Sequence, residues 1–214
     1  MQDTNTTALH TTIEHLYQVF SSYPAPQRVI DYPCVSCFST TDEHYLLNIP
    51  LQKLNDHIFG ALIESCNIIP FGNDIYKYFV PRVLELTTIE NPDFSFSFVE
   101  YVHREFAKFD YQNTFSAKEI SAIDNFFDAW LQQEFNKPMD QYDEAELFYA
   151  AQAGYNTIPF LKEIRHDNNN KIIVKHLMNY ILIQEKYKSK TEFTKWSNTG
   201  TLKQLIRWIH HEHI

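Results

Sequence analysis

Four glycines in a chain of 214 residues, set against 17 phenylalanines and 13 tyrosines, constrain this sequence more than any other feature. Glycine enters positive φ without steric cost, so a chain with few of them has few places for tight hairpins, bulges or phosphate-cradling loops. Large aromatic side chains need burial, and helices joined by short connections provide it without demanding positive φ. The expectation is an all-α fold: a single domain over residues 1–214, with about ten antiparallel-packed helices around an aromatic core.

Hydrophobic residues at 44% and charged residues at 21% fit a folded globule and exclude disorder as the main state. No stretch is apolar enough for a membrane span. The best candidate, Ile172–Ile183, is interrupted by Lys175, His176 and Asn179. The N-terminal MQDTNTTALHTTIEHL has neither the basic nor the apolar region of a secretory signal, so a cytoplasmic location with no membrane partner is expected. In that compartment the three cysteines are thiols.

Apolar spacing places the helices. Leu9, Ile13, Leu16, Tyr17 and Phe20 predict a helix over about 5–21, and Pro24, Pro26 and Pro33 make 23–40 an irregular loop. A short helix follows over Asp42–Leu47. Pro50 opens a longer one carrying Leu51, Leu54, Ile58, Ala61 and Leu62. Asn73 and Asp74 cap the next, which Pro81 is expected to divide into two pieces. Phe94, Phe96 and Phe98 alternate as a strand would, but the run Phe98, Val102, Phe106 and Phe109 favours a helix. Ser116 and Glu119 form a capping-box pattern ahead of the stripe Ile120, Ile123, Phe127, Trp130, Leu131 and Phe135. Further helices are expected over Asp143–Ala153 with Gly154 at C′, over 157–166, in one opened by Ile173, Val174, Leu177, Tyr180 and Ile181, and from Thr201 to the end. No 34- or 40-residue repeat is present.

Chemical motifs are sparse. Cys34-Val-Ser-Cys37 has the spacing of half a zinc site, which Cys66 with His44 or His57 would have to complete. The same spacing serves redox chemistry when the first cysteine starts a helix after a strand, and no strand precedes it here. The ordinary reading of the pair is two small apolar residues packing a loop against the helices. His210 and His213 share a helical face but sit at a terminus that frays and lack the HExxH register. Neither a P-loop nor a dinucleotide-binding, nucleophile-elbow or EF-hand pattern occurs. The aromatic stripes read as core. Lys186, Lys188 and Lys190 read as a solvated helix end rather than a nucleic-acid patch.

The run from Gly72 to Leu86, GNDIYKYFVPRVLEL, begins 35 residues after Cys37. Together with the C-x-x-C it resembles a set of uncharacterised bacterial proteins that share this pair, a G-[ND]-x-x-x-[KR]-[YH]-F-x-P-R-x-L-E-L segment and a helical remainder. The resemblance covers residues 30–135 and implies a helical fold, without an activity or site residues.

Charge is divided along the chain. Residues 1–170 carry 24 acidic and 10 basic side chains, a net of −14, whereas residues 171–214 carry 3 and 8, a net of +5. An acidic body repels nucleic acid and attracts basic partners. The functional expectation is therefore an acidic protein-binding or inhibitory module without catalytic residues, in its concrete form a bacterial immunity protein neutralising a basic toxin. Asp140, Asp143, Glu144 and Glu146 are its candidate contacts, because a helix N-terminus crowded with carboxylates offers several acceptors to lysine and arginine. Helix capping accounts for the same carboxylates. The alternative is a metal-binding or redox enzyme using Cys34 and Cys37, with zinc as the metal.

Overall fold

A computed structural model describes residues 4–29, 38–55, 57–58, 73–89, 99, 102–103, 106–137, 145–164 and 170–212. Their regular elements are helical and no strand occurs among them, in agreement with the all-α expectation. The chain divides into two compact units, Met1–Val102 with Ser116–Phe126, and His103–Phe115 with Phe127–Ile214.

The first unit opens with α1 (Thr4–Phe20), whose Leu9, Leu16, Val19 and Phe20 are buried. Ser39 then caps α2 (Thr40–Asn48) by a reciprocal box: its hydroxyl accepts from the Asp42 amide, and the Asp42 carboxylate accepts from the Ser39 amide at 2.8 Å. The long helix expected from Pro50 is only a 3₁₀ turn, Leu51–Lys53, closed by extended backbone at Leu54. Helical residues resume at His57 and Ile58, where the Asn55 side chain accepts from the Ile58 amide at 3.1 Å. A side-chain cap at Asn55 thus competes successfully with proline at the helix start.

α3 (Asn73–Thr87) packs on α1 and contains Pro81 within one uninterrupted helix, where two pieces were expected. An interior proline costs about 3 kcal/mol. Tyr76, Phe79, Val80, Val83, Leu84 and Leu86 on the same helix are buried, and at about 1.5–3 kcal/mol for each large side chain their burial offsets that cost. Phe79, Val83 and Leu86 close on Phe38, Leu46 and Leu54 in the core of this unit.

The second unit takes in the short α4 (Tyr111–Thr114), entered through Asp110 at φ 44°. α5 (Ala117–Phe135) contributes its first half to one unit and its second half to the other. Its capping box is as expected: the Ser116 amide donates to Glu119 at 2.6 Å, and the Glu119 amide donates to the Ser116 hydroxyl at 3.4 Å. Then follow α6 (Ala145–Ala153), α7 (Ile158–Ile164), α8 (Asn170–Tyr187), α9 (Lys190–Ser197) and α10 (Leu202–Glu212). α6 is buried at every position but Glu146, and α10 packs on α6, α8 and α9. Two glycines end elements here, Gly154 at φ +105° and Gly200 at φ +53°.

Candidate functional site

Within the first unit, charged and phenolic groups converge on Glu119. Its carboxylate already accepts from the Ser116 amide at the start of α5. Lys77, from the first turns of α3, reaches it with Nζ 3.1 Å from Oε2, and donates also to the Tyr23 hydroxyl at 3.1 Å. The Tyr23 hydroxyl itself donates to Glu119 Oε1. The ammonium lies 5.3 Å from the centre of the Tyr23 ring. Lys77 and Glu119 are 8% and 5% exposed, so each charge depends on the other for the solvation it has lost.

The pKa shifts follow this geometry. Burial pushes the Glu119 carboxyl up, but the hydrogen bonds from Tyr23, Ser116 and Lys77 outweigh it and hold the group below the ordinary carboxylate value. Burial likewise pushes Lys77 down, and its contacts with Tyr23 and Glu119 more than reverse this, so the ammonium is held above its usual value. Burial and the bond to Glu119 push the Tyr23 hydroxyl up. A carboxylate and an ammonium held in their charged forms fasten Tyr23, at the start of the proline-containing stretch, to α3 and α5.

A second cluster in the same unit uses α1, α3 and the 3₁₀ turn. Arg82 Nη1 donates to Glu85 Oε2 at 2.6 Å, and Arg82 Nε donates to the Leu54 carbonyl at 2.7 Å. The Tyr17 hydroxyl, pushed far up by burial and by Glu85, donates to the same carboxylate oxygen at 2.6 Å. Arg82 and Glu85 both belong to the PRVLEL run, and both fasten neighbouring elements to α3.

In the second unit, His103 is fully buried between aromatic planes. Its ring stacks on Trp130 at 5.3 Å and 6° and on Tyr149 at 5.9 Å and 15°. Tyr180 of α8 stacks on Phe148 at 4.5 Å, and Trp196 of α9 lies 6.0 Å from the same Phe148 ring. These stripes are core, as their helical spacing implies.

Of the residues singled out from sequence, Cys34, Cys37, Cys66, Asp140, Asp143, Glu144 and His213 lie outside the described residues. Glu146 stands in the first turn of α6, half-buried, with Oε2 sealed from solvent. His44 and His57 are exposed, and the Asn48 amide contacts the His44 ring at 3.2 Å. No group of three His, Cys, Asp or Glu side chains suited to a metal occurs among the described residues, and no described helix is long and apolar enough to cross a membrane.

Sequence reasoning missed both ionic clusters, since the pairs that join separate elements, Lys77–Glu119, Tyr17–Glu85 and Tyr23–Glu119, lie 42 to 96 residues apart. It also missed α9, although Ser189 and Glu192 repeat the S-x-x-E signal read correctly at Ser116. Comparison of the chain with protein-family models, with curated proteins and with solved structures finds no match.

Proposed function

We propose that the chain is an acidic protein-binding module that inhibits a basic partner, in its concrete form an immunity protein neutralising a basic bacterial toxin. The observation that supports this reading is the net charge of −14 over residues 1–170. Part of that charge is tied into the architecture: Asp42 caps α2, Glu43 accepts from the Val29 amide, and Glu85 and Glu119 hold the clusters above. Glu14, Asp74 and Asp110 remain exposed, and the Asp140–Glu146 segment concentrates four carboxylates in seven residues. Lysine- and arginine-rich partners gain charge-assisted hydrogen bonds and faster encounter at such a surface.

The test is capture of a basic protein by the immobilised chain, followed by elution with salt. A basic partner retained at low ionic strength and released as salt rises supports the reading, as does loss of capture on charge reversal of Asp140 and Asp143. Failure to bind any basic protein, or binding indifferent to salt, overturns it. Elemental analysis addresses the competing chemistry at Cys34 and Cys37: stoichiometric zinc that disappears in Cys37→Ser would replace the binding-module reading with a metal site.

A further inference from the structure

The outer face of α8 carries apolar side chains that the fold does not use. Leu177 and Ile181 are buried on its inner side, where Tyr180 stacks on Phe148. Leu182, Ile183 and Tyr187 point away from that core and are 54%, 49% and 76% exposed. They are three of the five exposed large hydrophobic residues among the described ones, and they fall within six positions. Apolar side chains clustered in this way on a polar surface mark an interaction site.

The distribution of charge on that face limits what covers it. At about 100° of rotation per residue, Lys175, Asn179 and Lys186 fall along one line, all exposed. Leu182 stands beside this line on one flank, and Ile183 and Tyr187 stand on the other. The Lys186 ammonium lies 5.4 Å from the centre of the Tyr187 ring. Glu185 is exposed at the margin beyond Leu182. The next carboxylate along the chain, Glu192, is occupied by the Ser189 amide at 2.8 Å. Residues 171–214 as a whole are positive by five charges.

From this arrangement we infer that the outer face of α8 docks an acidic amphipathic segment of a protein partner. The segment places carboxylates along its centre, against Lys175 and Lys186, and apolar side chains on both sides, against Leu182 and against Ile183 with Tyr187. A helix lying in a bilayer gathers its apolar side chains into one face bordered by cations. Here Lys186 stands between the apolar flanks and Lys175 continues its line towards the helix start, about 10 Å beyond Leu182, an order that suits paired carboxylates and disfavours lipid. The proposed surface shares no residue with the acidic contacts of the proposed function, so a substitution on α8 is expected to leave capture of a basic partner intact.

Binding is measured by fluorescence titration of the full-length chain with three probes: a synthetic Glu/Leu peptide of amphipathic helical spacing, polyglutamate, and phosphatidylserine–phosphatidylcholine vesicles. The expected result is binding of the amphipathic peptide that weakens with salt, with polyglutamate weaker than the peptide. Lys186→Glu and Lys175→Glu each lower the affinity by about tenfold, and Ile183→Gln lowers it without altering the salt dependence. All three positions are exposed, and far-UV circular dichroism verifies that each variant keeps its helix content. The inference is overturned if the peptide fails to bind or binds all variants equally. It is also overturned if vesicles bind through these residues while the peptide does not, or if sedimentation shows the native chain self-associating through a contact that Ile183→Gln abolishes.

Discussion

Lys77 Nζ lies 3.1 Å from Glu119 Oε2, and the two residues are more than nine-tenths buried where the proline-rich loop meets α3 and α5. Removing one partner strands the other charge without its counterion. Lys77→Met and Glu119→Gln are each expected to cost about 3–5 kcal/mol in urea denaturation, whereas replacing the pair together with apolar residues costs less than the sum. A double change as costly as the two single changes added would show that the pair does not act as a unit.

The same pair sets a pH dependence. Glu119 is depressed, so the stability it confers is present above the unfolded carboxyl value, about 4.3, and is lost as pH falls through its lower folded value. Lys77 is raised, so its contribution is present below about 10.4 and is lost as pH rises through its higher folded value. Urea midpoints of the native chain should fall on both limbs, and Glu119→Gln should flatten the acid limb.

Arg82 and Tyr17 share the Glu85 carboxylate, but only Arg82 also reaches the Leu54 carbonyl. Tyr17→Phe is expected to cost about 1 kcal/mol, the loss of one hydrogen bond to a carboxylate that keeps its arginine. Arg82→Lys should cost more, because an ammonium cannot span both acceptors in the fork geometry of a guanidinium. Thermal unfolding of the two variants gives the order directly.

Gly200 and Gly154 both have positive φ but differ in what surrounds them. A Cβ on Gly200 would stand 2.4 Å from the carbonyl oxygens of Ala151 and Gln152, backbone that cannot move aside without disturbing α6. On Gly154 it would meet the Tyr111 ring at 3.4 Å. Gly154→Ala is expected to carry chiefly the left-handed strain, about 1–2 kcal/mol, and Gly200→Ala that strain plus the clash. Chemical denaturation should therefore rank Gly200→Ala the more damaging, although Gly200 is an exposed turn residue.

The cap at Ser189 gives a local test. Its hydroxyl accepts from the Glu192 amide at 3.3 Å, and its amide donates to the Glu192 carboxylate. Ser189→Ala should cost about 1 kcal/mol. Because Trp196 of α9 is buried against Phe148, the loss should also appear as faster hydrogen exchange across Lys190–Ser197.

What was legible in the sequence was whatever depends on residues close together along the chain. The Ser116–Glu119 box and the apolar stripe behind it placed the start of α5, and the spacing of Leu9, Leu16 and Phe20 placed α1 to within a residue. Local signals misled where distant contacts decided the outcome. Pro81 reads as a break, yet the burial of α3 against α1 keeps the helix whole. At Pro50, which reads as a helix start, the competing signal is itself local: the Asn55 side chain accepts from the Ile58 amide and sets the next turn further along. Glu119 was readable as a capping residue, but its partners Lys77 and Tyr23 are 42 and 96 positions away, and no periodicity encodes such a meeting. The exposed face of α8 was visible only as hydrophobic residues without a burial assignment.

The division of the chain bears on how it is made and how it can be cut. Residues 103–115 leave the first unit and residues 116–126 return to it, so neither unit is a continuous stretch of sequence. As the polypeptide emerges from a ribosome, Lys77 is synthesised long before the carboxylate that will neutralise it, and the first unit has all its parts only after Phe126. A fragment ending at Val102 would carry that lysine without Glu119, and one beginning at Phe127 would lack His103, whose ring fills the stack on Trp130. An expression boundary drawn at any single point therefore breaks at least one unit: after Val102 it splits the first, after Phe126 the second, and anywhere between them both.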